Sequence, residues 1–360
     1  MPVGLIDSTL GATPGQAWVS ADCLKADTDL DKTYFAPVAP LLADPAATKA
    51  AHDKWLAEGG ADYKAAMQKF HMDNYTAQKS GQPAPSRPVP PATAEPLYFE
   101  DAVRFPTVLY NGMIFPLAPY AIKGAAWYQG ESNAGGAALY GKLLTTLIRC
   151  WRDRWQQGDF AFYIVQLPNY GKRMDLPEQL TGGWPLVREQ ERLVAANVTN
   201  AGFAVTIDIG QGNDLHPSFK SEVGRRLALA ARQNVYGEKI TGSSPVPVSW
   251  TVDGNKMLIR FSQIGEGLKI GVPPAGSKTP VPATDTLKGF AIAGSDRKFV
   301  WAQAVIEGKD TVAVWSDEVK TPVTVRYGWG ADPEVNLYNS ADLPASPFST
   351  DSAPPMEAVK

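Results

Sequence analysis

The chain is poor in the residues that most often carry reactive chemistry: its 360 residues include two cysteines and three histidines. Cys23 and Cys150 are far apart and in no metal-like spacing with His52, His71 or His216, which argues against both a disulfide framework and a zinc site. Long apolar runs are also missing. No stretch approaches the roughly 18 consecutive apolar residues that span a bilayer. MPVGLIDSTL has no charged segment followed by an apolar one, so neither membrane insertion nor an export signal within the chain is expected, and the compartment stays open. The net charge of -3 comes without a basic or acidic block, which gives no reason to expect nucleic acid or an anionic membrane as partner. What is present is a hydrophobic content of 44%, enough to bury the core of one large domain or two ordinary ones.

PVGLID reads as a buried strand that feeds a Gly/Pro loop. From Cys23 to about Pro96 the composition turns to Ala, Lys, Asp and Gln and then to SGQPAPSRPVPPATAEP, an excursion of amphipathic helices with a proline-rich return. His52 and His71 fall in its helical part and read as solvated surface residues. Beyond Thr107, IKGAAWYQ, FAFYIVQLP and GFAVTID are strand-like and apolar throughout. The helix AALYGKLLTTLIRCWRDRW has Leu139, Leu143, Leu147, Trp151 and Trp155 on one stripe and Gly158 as its stop. PLVREQERLVAANV and SFKSEVGRRLALAARQNV supply further helices, the latter with Val223, Leu227, Ala231 and Val235 facing inward. Apolar strands alternating with helices predict a parallel sheet covered on both faces. From Ser243 to about Trp329, short alternating strands with Asp-Gly and Ser-Asp turns predict antiparallel β structure, followed by a tail of loop.

In an open parallel sheet ligands bind at the carboxyl ends of the strands. Three polar, glycine-rich loops fall there: DSTLGATPG, QGESNAGG and GQGNDLHPS. His216, just ahead of a helix, is the best base in the chain. Asp214 either orients its ring or caps the following helix, and Glu131 is the rival orienting carboxylate. Gln129, Ser132 and Asn133 offer hydrogen-bond donors for an oxyanion or for sugar hydroxyls, or bond their own tight turn.

GLIDSTLGATPGQAW, LYNGMIFPLAPYAIKGAAWYQGESNA, FYIVQLPNY, NDLHPSFKSEVGRRLALAA and VRYGWGADPEVNLYNSADLPASPFSTD resemble the corresponding segments of bacterial sialate O-acetylesterases, SGNH hydrolases related to some acetylxylan esterases. The likeness runs from about Pro2 to Asp351. It implies a flavodoxin-like SGNH three-layer α/β/α sandwich over residues 1–242, with the helical and proline-rich insertion at 22–100, and an accessory β region at 243–360. It also implies deacetylation of carbohydrate O-acetyl esters by a serine nucleophile, with no metal and no cofactor. His216 matches the family's catalytic histidine, Asp214 the acid of the same block, and Gly11 the oxyanion-hole glycine in a segment usually written Gly-Gly-Thr-Pro, so that Ala12 is a departure. Gln129, Glu131 and Asn133 match the Gln-Gly-Glu-x-Asn loop, whose Glu is the other candidate for triad acid.

The family's nucleophilic serine stands in a Gly-Gln-Ser-Asn segment, and no such segment occurs here. Two function classes follow. One is an acetylesterase working through a substitute serine or with a separately encoded N-terminal piece, which also predicts an uncovered sheet edge or face near PVGLID, open to another chain. The other is a carbohydrate-binding or structural protein without turnover, with Trp301, Trp315, Tyr327 and Trp329 either stacking on sugars or packed in the core. A substitute hydroxyl has to reach the base nitrogen to within about 3 Å. Of the serines on these loops, Ser132 is preferred to Ser8 because it precedes a helix N-terminus, with a purely capping role as the alternative.

Overall fold

The structure, a computed structural model, describes residues 3–80, 82–83, 85–93, 95–96, 103–173, 175–279 and 284–351. The chain divides into two compact units, Met1–Pro119 and Tyr120–Lys360.

In the first unit the predicted strand PVGLID does not form. Val3–Leu10 is irregular with Leu5 94% exposed, and Pro2 lies outside the described residues. An extended apolar segment becomes a strand only with a paired neighbour, and no strand pairs with this one among the described residues. The following turn puts Ala12 in the left-handed region, φ 59°, where a Cβ costs about 1–2 kcal/mol. That cost accounts for the glycine usually found there. Arg104 holds the turn by donating from Nε and Nη2 to the Ala12 carbonyl at 3.3 and 3.1 Å. Two longer helices follow, α1 (Pro45–Trp55) and α2 (Ala61–Ser80), with Asp44 accepting from the Ala47 N–H at the head of α1. His71 is exposed as expected. His52 is not: it is 3% exposed, stacked on Trp55, with Lys64 Nζ 3.3 Å from Nε2. In the proline-rich return, Gly81, Ala84 and Ala94 lie outside the described residues.

The second unit opens with the parallel sheet, β1 (Gly124–Trp127), β2 (Ala161–Val165) and β3 (Ala201–Ala204), in that spatial order. Helix α3 (Ala137–Trp155) crosses from β1 to β2, α4 (Gly183–Asn197) from β2 to β3, and α5 (Lys220–Asn234) follows β3. Of the predicted stripe of α3, Leu143, Leu147, Trp151 and Trp155 are buried and Leu139 is partly so, and the Trp151 ring meets Trp127 and Phe162 edge-on at 5.8 and 5.7 Å. The stop is earlier than Gly158, because Gln156 itself takes the left-handed cap at φ 53°. Among the described residues β1 pairs only with β2, which makes it an edge strand, and Gly124 and Ala126 are exposed.

The antiparallel part consists of a sheet β4 (Val246–Asp253), β5 (Lys256–Ser262), β10 (Thr311–Trp315), β9 (Gln303–Glu307), a sheet β13 (Phe348–Ser349), β11 (Thr324–Tyr327), β7 (Phe290–Ala293), β8 (Val300–Trp301), and the pair β12 (Leu337–Asn339) with β6 (Leu268–Ile270). The core between them is continuous with Val205 and Ile207, just past β3. The tail is not the loop that was expected. Leu337, Tyr338, Leu343, Ala345 and Phe348 are all at most 1% exposed, because β12 and β13 complete two sheets. Ser352–Lys360 lies outside the described residues.

Candidate active site

The two polar loops that follow β1 and β3 are both built at the carboxyl end of the parallel sheet. After β1 the chain turns into a short 3-10 helix, Glu131–Gly136. A side chain at Gly130 would meet Val187 at 2.9 Å and Leu167 at 3.1 Å, so the loop lies directly against α4 and the end of β2. Gln129 and Asn133 are buried and bond each other, Gln129 Nε2 donating to Asn133 Oδ1 at 2.8 Å, while the Tyr140 hydroxyl lies 2.6 Å from the Gln129 carbonyl and 3.1 Å from its Oε1. These two amides shape the loop. Glu131 folds back so that Oε2 accepts from the Gly130 N–H at 2.9 Å. Ser132 is exposed and caps neither the 3-10 helix, whose cap is Gly130, nor α3, whose cap is Gly136.

The β3 loop is anchored by buried charge. Asp208 is fully buried and receives Arg226 twice, Nη1 to Oδ1 at 2.6 Å and Nη2 to Oδ2 at 2.9 Å, with the Tyr338 hydroxyl donating to Oδ2 at 3.0 Å. Arg226 also donates to Glu222 Oε1 and to the Val205 carbonyl. Burial works against its charge, but Asp208 and Glu222 more than offset this and lift its pKa above the ordinary arginine value. Asn169 fixes Gly210, two residues on: its Oδ1 accepts from the Gly210 N–H at 2.9 Å and its Nδ2 donates to Asp332 at 2.7 Å. A side chain at Gly210 would stand 2.3 Å from Asn169, so glycine is required there. Held from below in this way, the chain presents His216 exposed on the loop. Asp214 Oδ1 accepts the His216 backbone N–H at 2.8 Å in a tight turn, and α5 has no side-chain cap.

Lys220, at the start of α5, joins the two loops. Burial lowers its pKa, while Glu131 from one loop and Asp214 from the other pull it back up, and its Nζ stands 5.0 Å over the Tyr128 ring. Both candidate acids therefore act on one ammonium. Among the described residues no hydrogen bond joins the His216 imidazole to Asp214, Glu131 or Ser132. Ser8 and Gly11 belong to the first unit, where the Ser8 hydroxyl donates to the Met113 carbonyl at 3.0 Å.

Sequence reasoning missed Lys220, Asn169, Asp332 and a buried acid, Glu191. The signal for the last was available: on α4 it falls on the apolar stripe between Val187 and Val194. Its Oε2 accepts from the Leu167 N–H at 3.0 Å, and burial, then the nearby Glu131, raise its pKa well above the ordinary carboxylate value against the opposing pull of the Leu167 N–H and Arg188. The folded state thus holds a proton that the unfolded state releases from about pH 4.5 upward, so this stabilisation is complete below that pH and fades as pH rises toward the folded pKa. Glu191→Gln is accordingly expected to unfold at a higher urea concentration than the unsubstituted protein at pH 8, with the difference shrinking at pH 5. A difference that does not change with pH would show that Glu191 is ionised in the folded protein.

Residues 102–233, which include both loops, match a family described as carbohydrate esterase, sialic acid-specific acetylesterase. The mouse sialate O-acetylesterase is 31% identical over 269 residues, 67% of this chain and 47% of that protein, and the rat protein is 27% identical over 97% of this chain and 60% of its own length. The crystal structure of a carbohydrate acetylesterase from Xanthomonas citri aligns with 40% identity and a TM-score of 0.62, over 70% of this chain and 55% of that one. This chain belongs to the sialate O-acetylesterase family. It spans about half the length of the curated relatives it matches. The parallel sheet with its C-terminal antiparallel sheets is consistent with the SGNH-like α/β fold implied by the resemblance.

Proposed function

We propose that the chain carries the base-bearing half of a carbohydrate O-acetylesterase site. The observation that supports this reading best is the convergence of two glycine-rich loops at the carboxyl end of one parallel sheet, with His216 on one and Glu131 on the other, inside the segment matched to the esterase family. In this reading His216 takes the proton of an attacking hydroxyl as that oxygen bonds to the acetyl carbon. The tetrahedral oxyanion collapses with loss of the sugar oxygen, which takes the proton back from the imidazolium. Water, deprotonated by the same ring, then bonds to the acetyl carbon, and acetate leaves as the nucleophile's oxygen takes the proton back from the imidazolium. Asp214 or Glu131 supports the imidazolium electrostatically, and Gln129 and Asn133 are the family-matched positions for the oxyanion or substrate within this unit.

Ser132 is the proposed nucleophile within the chain. It is exposed, no side-chain hydrogen bond engages it among the described residues, and it lies next to Glu131. The test is to incubate the chain alone with an aryl acetate and an acetylated sugar, measure acetate, and map the peptide labelled by a fluorophosphonate. Acetate release with label on Ser132 is expected. Turnover with label elsewhere, or with none, removes Ser132 from the mechanism. No acetate together with saturable sugar binding would leave the second reading, a binding protein without turnover.

A further inference from the structure

A cavity of about 810 Å³ opens between the 173–178 loop, the 286–290 segment and the antiparallel strands, within the range of about 300–1,000 Å³ that ligand sites occupy. Trp301, Trp315 and Trp329 all line it. Trp329 is nearly buried, its indole N–H donating to the Leu180 carbonyl at 3.0 Å and the Arg326 guanidinium lying 4.7 Å over its ring. Trp315 is half-buried, with Lys256 Nζ 4.8 Å from its ring centroid. Trp301 differs from both. Its N–H is already spent on the Asp175 carbonyl at 2.7 Å, which fixes the indole, yet 45% of the residue remains exposed. A tryptophan held in one orientation, with its polar atom satisfied and its ring open to solvent, is a platform for a flat apolar face.

The rest of the lining narrows the occupant. Asp175, Glu178, Asp332 and Glu334 outnumber the cations Arg173 and Lys288, four to two. A purely apolar ligand would strip water from these carboxylates without replacing their hydrogen bonds, and an anionic one would meet a net negative field. A pyranose ring satisfies both conditions, because its C–H face covers an indole while its hydroxyls donate to carboxylates. One wall residue of the cavity is also bonded to the support of the His216 loop. Asp332, part of its wall, bonds Asn169, the residue that fixes Gly210, and a side chain at Gly212 would stand 3.0 Å from Asp332. From Gly212 the same loop runs on to His216.

We infer that this cavity is a glycan subsite that binds neutral pyranose units, with Trp301 as its stacking platform, and holds the sugar chain whose acetyl group is presented to the His216 loop. The link to acetyl transfer rests on the carbohydrate esterase reading; the binding itself does not. The test is calorimetric titration of the full chain with xylotetraose, cellotetraose and sialyllactose at low ionic strength. At least one neutral tetrasaccharide is expected to bind saturably, about tenfold or more tighter than sialyllactose. Trp301→Ala is expected to weaken that binding at least tenfold, and Trp301→Phe, which keeps a ring, to stay within about threefold. Equal or tighter binding of the anionic sugar, unchanged affinity in Trp301→Ala, or no saturable binding of either tetrasaccharide overturns the inference. Because titration needs no turnover, a protein that binds tetrasaccharide but releases no acetate would refute the esterase reading alone. One that releases acetate but binds no tetrasaccharide would refute the subsite alone.

Discussion

Replacing His216 with alanine is expected to lower kcat/KM for an acetyl ester by about 10²–10⁴, the range that general acid–base catalysis supplies. The side chain is exposed and, among the described residues, engages no hydrogen bond, so its removal leaves no buried partner unsatisfied and the fold should be unaffected. Kinetics and urea unfolding on the same preparations separate the two effects. Turnover that survives the substitution would refute the mechanism, whatever the family membership. Asp214→Asn and Glu131→Gln, measured alongside, apportion support of the imidazolium between the two acids, since a partner that stabilises the charge lowers kcat when neutralised while one that only shapes its loop does not.

The second large effect concerns stability. Arg226→Leu is expected to cost about 3–5 kcal/mol, because it strands a fully buried Asp208 and leaves the Val205 carbonyl without its donor, while Glu222 keeps Arg225. Replacing Asp208 with asparagine in the same protein removes the uncompensated charge and should recover part of the loss. Urea unfolding of the single and double variants is the measurement. A single-variant cost below about 1 kcal/mol would show that the pair is not what holds the loop ahead of His216. The pH dependence gives a second check. Burial opposes ionisation of Glu222, but Arg225 and Arg226 outweigh it and depress its pKa, so this contribution is present above about pH 4.5 and is lost as pH falls through the folded value.

Much of this architecture was legible in the sequence, and what was missed has a common cause. The strands after Lys123, Asp159 and Asn200 announce themselves as short apolar runs between helices, and α3 because it buries apolar side chains at a helical period. The fully buried Arg188, Arg192, Glu189 and Glu191 of α4 do not, because a charged side chain reads as solvated until its partner is known: backbone carbonyls for Arg188, the Leu167 N–H for Glu191, and each other for Arg192 and Glu189. The same blindness made His52 look like a surface residue. PVGLID erred in the opposite direction: its composition suits a strand, but pairing decides, and composition cannot supply a neighbour. At the candidate site, His216 was visible as an isolated base in a Gly-rich loop. The role of Asp214 was not, because whether its carboxylate turns toward an imidazole or a backbone N–H depends on local torsions that its spacing does not fix.

Arg188 has a consequence for how the protein is made. Its guanidinium donates to the Leu167 and Pro168 carbonyls at 2.9 and 2.6 Å, and to the Gly330 and Ala331 carbonyls at 2.7 and 2.9 Å, the latter pair 142 and 143 residues further along the chain. At about 5–20 residues per second, the ribosome takes roughly 7–28 s to reach them. Throughout that interval α4 carries a guanidinium that can be only half satisfied, on a helix whose inner face already holds three other charged side chains. The α/β layer therefore cannot lock as it emerges. It waits, loosely packed and exposed to chaperones and proteases, until the strand-rich C-terminal segment arrives to close it.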